Sequence, residues 1–310
     1  MEHPSWATLI VDRLAERRPR VDDDEGNGVM AACVRVELSS RAENVPVVRQ
    51  VLGGLADATG LSPPDLNDIG TAVTEACNNA SAHAYGGDEG PLEVELDAAE
   101  TTMVVTVRDR GVGVEFDGRS PVEFPSDVDG ELTGIGVPAM QGLATNVRWT
   151  KPDGGGTAVE MMFSTGLQGS ERVGSGYAPS LESLTIKPGE LANTIEAGMA
   201  PVEVAHWVLP RLLGAMAARA RFSIERHADV QHLGSILLAD GSGWAATGAV
   251  QARLVASPAS LELAIGPMAA DAASVLADAV CEIEPELHTS VMRLGGGKQR
   301  LVLALERVRS

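Results

Sequence analysis

The chain has 310 residues and a formal net charge of −19 at pH 7. This length is enough for two domains, and because only 3% of the residues are aromatic, we expect largely aliphatic cores. A net charge of this sign is repelled by phosphate backbones and therefore argues against a nucleic-acid partner. No apolar run reaches the length of a membrane span, so we expect no membrane partner. Cys33, Cys77 and Cys281 form neither a CxxC motif nor a cluster with histidine. We therefore expect a cytoplasmic protein without a disulfide framework or a zinc site.

The first 32 residues are predicted to be a helix followed by a linker. Residues 4–18 place Trp6 and Leu9 on one side of a short amphipathic helix. The acidic, glycine-bearing run at residues 22–28 is typical of a flexible segment. The helix is either a loosely attached tail or a docking element for a partner.

Organised structure is predicted to begin with an alternating strand at residues 33–38, followed by a helix at residues 44–59. A second helix has clear start signals: Ser62 can serve as N-cap, Pro63 suits the first helical position, and Asp65 lies three residues after the cap. Apolar side chains then recur at helical spacing, namely Leu66, Ile69, Val73, Cys77 and Ala80. They predict a helix with one buried stripe.

The same helix carries a second, polar face. Glu75, Asn79 and His83 are spaced four residues apart and therefore lie above one another on the helix. A carboxylate and a carboxamide one turn apart suit an Mg²⁺–phosphate site, because the amide oxygen is a hard ligand and the carboxylate can orient or deprotonate an attacking hydroxyl. A solvated helix face contains the same residue types, so the interpretation depends on the motifs that follow.

Two strands are predicted at residues 92–96 and 103–108, and the second leads directly into Asp109, Gly111 and Gly113. Glycines at this place would let the backbone approach the edge of a ligand closely. A carboxylate oxygen can accept a hydrogen bond from an exocyclic amine such as that of adenine. An ordinary turn is the alternative interpretation of residues 109–113.

A long segment without periodicity, residues 115–133, is predicted to be either a functional lid or a disordered loop. Gly134 and Gly136 then open a short helix, and the N–H groups of a helix N-terminus are suited to holding phosphate. Strands at residues 147–150 and 157–163, joined by a glycine turn, are predicted to complete the domain.

In this order the motifs resemble those of the GHKL ATPase superfamily. The chain has ExxxNxxxHAY at residues 75–85, DxGxG after a strand, a lid, GxG opening a helix, and GGGT before the last strand. The compact order of elements and the His-Ala-Tyr ending most resemble the anti-sigma-factor serine kinases of the SpoIIAB/RsbW type. The resemblance covers residues 33–164 and implies a two-layer α/β sandwich, a mixed sheet with helices on one face.

The resemblance also implies a site for ATP and Mg²⁺. Glu75 would be the general base, Asn79 the Mg²⁺ ligand, and Asp109 the residue that binds the adenine amino group. The remaining implied nucleotide-binding residues are His83 at the end of the motif helix, Gly111 and Gly113 in the adenine pocket, Gly134 and Gly136 at the triphosphate, and Thr157 near the adenine. Helix-end packing is the alternative role for His83 and for Tyr85.

Two features depart from the family pattern. The lid is acidic and lacks the Thr-Thr-Lys segment of many of these kinases, and Thr133 precedes Gly134 where relatives often have a basic or polar residue. Arg110 or Arg119 is a candidate for the positive charge near the γ-phosphate. The motifs therefore support nucleotide binding more strongly than phosphoryl transfer.

Residues 165–199 are predicted to be a Gly/Ser-rich linker and connecting segment, and residues 200–310 a second, degenerate ATPase-like α/β sandwich. Residues 221–224 are interpreted as the counterpart of the strand at residues 35–38, which would leave this half without a copy of the motif helix. Residues 261–265 parallel residues 103–107.

Two further parallels concern the site itself. Gly295–Gly297 stands where Gly154 to Gly156 stand in the first half, and Pro267 stands where Asp109 would be needed. The second half is therefore predicted to keep the sheet without binding nucleotide.

The function implied by the resemblance is an ATP-binding regulator that holds a sigma-like factor and phosphorylates a serine on a small antagonist protein. The alternatives are a catalytically silent, nucleotide-dependent binding module or sensor, and an ATPase that transfers phosphate to water. The resemblance also implies pairing of ATPase sheets, either in a homodimer or, with the second half as partner, in an intrachain pseudo-dimer.

Overall fold

The structure is a computed structural model that describes residues 31–99, 101–113, 136–165, 193–238, 243–283 and 287–306. It divides into two compact units. The N-terminal unit contains the described residues between 31 and 165, and the C-terminal unit those between 193 and 306. The predicted N-terminal helix, the segment at residues 115–133 with Arg119, and Thr133 and Gly134 lie outside the described residues.

The N-terminal unit is a two-layer α/β sandwich, as predicted. Its elements are β1 (Ala32–Ser39), α1 (Val45–Thr59), α2 (Pro63–His83), β2 (Pro91–Ala98), β3 (Thr102–Asp109), α3 (Gly136–Leu143), β4 (Asn146–Thr150) and β5 (Ala158–Ser164). The strand order is β4-β5-β3-β2-β1, and the neighbouring pairs are antiparallel. The sheet of this unit is thus antiparallel rather than mixed, because β5 returns between β3 and β4.

Burial alternates along the strands and marks the face that the helices cover. In β3, Met103, Val105 and Val107 are buried while the residues between them are partly exposed. Val105 pairs with Leu96 on β2 and with Met161 on β5, so one row of apolar side chains crosses the sheet. Period-two alternation in the sequence therefore places the core of this unit under α1 and α2.

The start of α2 follows from its sequence. The Oγ atom of Ser62 accepts a hydrogen bond from the backbone N–H of Asp65 over 3.3 Å, and Pro63 occupies the first helical position. The predicted stripe packs inward, with Ile69, Val73 and Cys77 at most 1% exposed. Since this stripe fixes the rotation of the helix, it also fixes the direction of the polar face.

The C-terminal unit is a second α/β sandwich. Its elements are β6 (Thr194–Ala200), α4 (Ala205–Arg219), α5 (Ile224–Leu238), β7 (Val250–Ala256), β8 (Ser260–Met268), α6 (Ala272–Ile283), β9 (His288–Arg293) and β10 (Gln299–Glu306). Within this unit the strand order is β6-β7-β8-β10-β9, and the neighbouring pairs are antiparallel.

Two interpretations of this half were wrong. The first strand is β6, inside the segment predicted as a linker; all seven of its residues are buried, so it shows no alternation. Residues 221–224 are not a strand. Arg221 has φ 55° in the turn after α4, and α5 begins at Ile224. An alternating pattern of only four residues occurs both in strands and in turns that lead into a helix, so it does not identify a strand.

The expected loss of the motif helix is therefore also wrong. Two helices, α4 and α5, lie between β6 and β7, just as α1 and α2 lie between β1 and β2. Among the described residues of both units, no helix is long and apolar enough to span a membrane.

Candidate functional site

The polar face of α2 presents two of the predicted residues side by side. Glu75 and Asn79 lie one helical turn apart, and both are half-buried. Their helix is anchored from behind by the buried stripe, so the two side chains project from a rigid support. His83 is the last residue of α2, lies about two turns beyond Glu75, and is exposed.

The first residue of α3 lies directly against this pair. A Cβ atom on Gly136 would lie 2.9 Å from Oε2 of Glu75 and 3.5 Å from both Oδ1 and Nδ2 of Asn79. The first backbone N–H groups of a helix have no partner within the helix, and the helix dipole favours an anion there. The glycine therefore brings a phosphate-compatible helix N-terminus up to a carboxylate and a carboxamide.

Asp109 lies at the end of β3 and is 6% exposed. Its Oδ1 atom accepts hydrogen bonds from the backbone N–H of Gly111 (2.9 Å) and of Thr157 (3.2 Å). Burial raises the pKa of this carboxyl, while the two hydrogen bonds act to lower it.

The segment that follows Asp109 is held against the end of the motif helix. A Cβ atom on Gly111 would overlap the carbonyl of Ala84, and the N–H of Val112 donates to that carbonyl over 2.9 Å. Gly113 has φ 75°, and a Cβ there would lie 2.8 Å from the carbonyl oxygen of Gly156. These close approaches explain the DxGxG pattern as a packing requirement.

Tyr85 forms a second link between the same segments. Its hydroxyl donates to the carbonyl of Pro91 over 2.5 Å and accepts from the N–H of Arg110 over 2.8 Å. Gly90 leaves room for the ring, since a Cβ there would overlap it. The tyrosine thus joins the end of α2, the start of β2 and the residue after Asp109.

The sequence did not predict this bridging role. Tyr85 was expected only near the nucleotide or in helix-end packing, and its two partners lie 6 and 25 residues away. The accepting carbonyl of Ala84 was missed as well, because a backbone acceptor leaves no mark on residue type.

The remaining predicted residues are distributed as follows. Thr157 is 7% exposed, and its backbone exchanges hydrogen bonds with Asp109. The guanidinium of Arg110 lies 3.7 Å from the carboxylate of Glu37, so its charge is paired within the unit.

No group of three or more His, Cys, Asp or Glu residues that could hold a metal exists in the described part of the chain.

Comparison with known proteins adds independent information. The family model described as "Histidine kinase-like ATPase domain" matches residues 38–163. A protein named serine-protein kinase RsbW from Bacillus cereus is 30% identical over 95 residues, which cover 31% of this chain and 59% of that protein. The RsbW of Bacillus thuringiensis is 28% identical over 95 residues with the same coverage.

The match thus spans about three-fifths of the length of these curated relatives. A solved structure, crystal form III of TP0453, aligns with 94% of this chain at a TM-score of 0.34 and 10% identity, a likeness too weak to indicate a shared fold. The sandwich with its motif helix, and the family match to the same residues, agree with the resemblance seen in the sequence. Residues 38–163 thus match the histidine kinase-like ATPase domain, and this part of the chain is similar to the RsbW serine-protein kinases.

Proposed function

We propose that the N-terminal unit binds Mg-ATP and that the chain is a regulator of the anti-sigma serine kinase type. The observation that carries the proposal is the meeting of Glu75, Asn79 and Gly136, with Oε2 of Glu75 2.9 Å from where a Cβ of Gly136 would be. A base, a hard amide ligand and a helix N-terminus at one point are what phosphoryl transfer requires.

The residues present fit Mg-ATP at each of its parts. The amide oxygen of Asn79 suits magnesium, which when bound would offset charge on the phosphates. Gly136 keeps side-chain atoms away from the space beside α2, and Asp109 offers an acceptor for the adenine amine. All three are supported on elements of one compact unit.

In the proposed reaction Glu75 accepts the proton of a serine hydroxyl on an antagonist protein. The serine oxygen forms a bond to the γ-phosphorus while the bond from that phosphorus to the β-phosphate oxygen breaks, which leaves ADP and phosphoserine. Asn79 and the N-terminus of α3 hold the phosphates in position for this exchange.

The proposed partners are a sigma-like factor and its antagonist. The net charge of −19 favours partners with basic patches and disfavours nucleic acid. Cys33, Cys77 and Cys281 are free thiols, which goes with a cytoplasmic setting.

One observation favours a second candidate, a binding module that closes on ATP without transferring phosphate. Arg110, one of the two arginines considered for the γ-phosphate, is instead paired with Glu37. Without a cation at the transferred group, binding could proceed while transfer is slow.

Transfer and binding are separated by one experiment. The wild-type chain and Glu75→Gln are incubated with γ-labelled ATP, Mg²⁺ and candidate antagonists encoded nearby, and nucleotide affinity is measured in parallel. Serine phosphorylation by wild type, lost in Glu75→Gln with affinity retained, supports the kinase. Equal ATP binding with no transfer by either protein identifies the binding module, and release of phosphate to water identifies a hydrolase. Absence of ATP binding by the wild type refutes the proposal.

A further inference from the structure

We infer that the C-terminal unit is a second copy of the ATPase fold whose nucleotide site is closed by apolar side chains, so that the chain binds a single nucleotide. This inference rests on the nucleotide site proposed for the N-terminal unit. It concerns the positions in the second unit that correspond to Asp109 and Glu75.

The two units have the same chain path. Each runs strand, helix, helix, strand, strand, helix, strand, strand, and α1 and α4 each have 15 residues. The order β4-β5-β3-β2-β1 is repeated as β9-β10-β8-β7-β6. Equal element order and equal strand order allow the corresponding positions to be identified from strand register.

The register identifies the counterpart of Asp109. Val105 pairs with Leu96 and Met161, and Leu263 pairs in the same way with Leu254 and Leu303. The offset along this strand is 263 − 105 = 158, so residue 109 corresponds to residue 267, which is Pro267. A proline side chain has no oxygen and cannot accept a hydrogen bond from an adenine amine.

The helix caps identify the counterpart of Glu75. Ser223 accepts a hydrogen bond from the N–H of Arg226 over 3.3 Å, as Ser62 does from Asp65, which gives an offset of 223 − 62 = 161. Four buried positions of the two helices coincide at this offset. These are Ile69, Ala72, Val73 and Ala76 in α2, and Val230, Leu233, Gly234 and Leu237 in α5.

Glu75 then corresponds to Ile236, which is 1% exposed. The position of the carboxylate proposed as general base is therefore taken by an aliphatic side chain inside the core. The side chain of Ile236 can neither accept a proton nor bind magnesium.

A buried tryptophan precedes the segment that pairs with the end of β8. The carbonyl of Trp244 accepts from the N–H of Ala269 over 2.9 Å, and the next residue, Ala245, forms a bridge to Met268 at the end of β8. Trp244 is 1% exposed. In the N-terminal unit, the carbonyl of Ala84 accepts from the N–H of Val112 in the segment after β3, also over 2.9 Å.

The two changes act together. The adenine acceptor is replaced by proline, and the carboxylate is replaced by a buried isoleucine. Each substitution removes a polar group or fills volume, which stabilises a core and removes a ligand site.

The test is the number and place of nucleotides on the full chain. Mg-ATP binding is measured by calorimetry for wild type, Asp109→Asn and Pro267→Ala, and a photoreactive ATP analogue is mapped by peptide mass spectrometry. We expect one nucleotide per wild-type chain, at least tenfold weaker binding by Asp109→Asn, unchanged affinity for the matched control Pro267→Ala, and labelling confined to residues 75–165. Thermal melting shows that the variants are folded.

Two bound nucleotides, full binding by Asp109→Asn or labelled peptides from residues 193–306 would overturn the inference. A wild-type chain that bound no nucleotide would refute the proposed function instead, while agreeing with a closed second unit.

Discussion

Gly136 begins α3 against the carboxylate of Glu75, with Oε2 2.9 Å from the position that a Cβ atom would occupy. The same point is 3.5 Å from the amide of Asn79. Glu75 and Gly136 are 61 residues apart in the chain, so the fold itself assembles this contact.

The Gly136 contact can be tested by adding one methyl group. Gly136→Ala is expected to crowd the Asn79 amide as well as the Glu75 carboxylate, and through Asn79 to weaken Mg-ATP binding about tenfold, or ~1.4 kcal/mol. Gly142→Ala is the matched control, because it lies in the same helix with nothing within 4 Å of its Cβ position. Both changes add one methyl group to the same helix, and only the one at Gly136 meets neighbouring side chains. Equal affinities for the two variants in a calorimetric titration would contradict the proposed contact.

Tyr85 is expected to position the adenine side of the site through its hydroxyl. Tyr85→Phe leaves the N–H of Arg110 and the carbonyl of Pro91 without this partner, which costs about 1 kcal/mol in unfolding free energy. We also expect weaker ATP binding, because Arg110 directly follows Asp109.

Thr59→Val serves as the comparison for Tyr85→Phe. It removes a buried hydroxyl that donates to Leu55 within α1, away from the motif segments. Thermal melting and ATP titration should show a similar loss of stability for both variants and a loss of affinity for Tyr85→Phe alone. If Thr59→Val lowered affinity equally, Tyr85 would have only a structural role.

ATP affinity is expected to fall as the pH is lowered through the pKa of Asp109. The ionised carboxylate is the stronger acceptor for a hydrogen bond from the adenine amine, and burial raises the pKa of this group. The loss should therefore begin at a higher pH than for an exposed aspartate. Dissociation constants measured from neutral pH downwards should show this slope for wild type and lack it for Asp109→Asn. The same slope in both proteins would assign the dependence to another group.

The three thiols are expected to differ in reactivity. Burial raises the pKa of Cys77 to about 12, and burial together with the carboxylates of Glu95 and Asp97 raises that of Cys33 to about 12. Cys281 is exposed. A thiol reagent at mildly alkaline pH should modify Cys281 rapidly in the native chain and all three cysteines after unfolding. Rapid native labelling of Cys77 would contradict the packing of α2.

Local signals predicted the N-terminal unit well because each was strong on its own. Ser62 and Pro63 marked the start of α2, and the stripe through Ile69, Val73 and Cys77 fixed which side is buried. Once that stripe is set, Glu75 and Asn79 must share another face.

The rest depended on contacts that the sequence does not encode locally. The bridge from Tyr85 to Arg110 joins residues 25 apart, and β6 has no alternation because every residue in it is buried. In the C-terminal unit α5 keeps the capping serine but has Ile236 where α2 has Glu75, so the residue pattern that marks α2 in the sequence is missing from α5.

Asp109 is proposed to accept a hydrogen bond from the adenine amine of ATP in the N-terminal unit. The most direct measurement is calorimetric titration of wild type and Asp109→Asn with ATP and with GTP in the presence of Mg²⁺. The asparagine oxygen can keep the bonds from Gly111 and Thr157 while its amide group presents a donor to the adenine amine. We predict that wild type binds ATP at least tenfold more tightly than GTP and that Asp109→Asn loses this preference. Failure of wild type to bind ATP, or an unchanged preference in Asp109→Asn, would contradict the account.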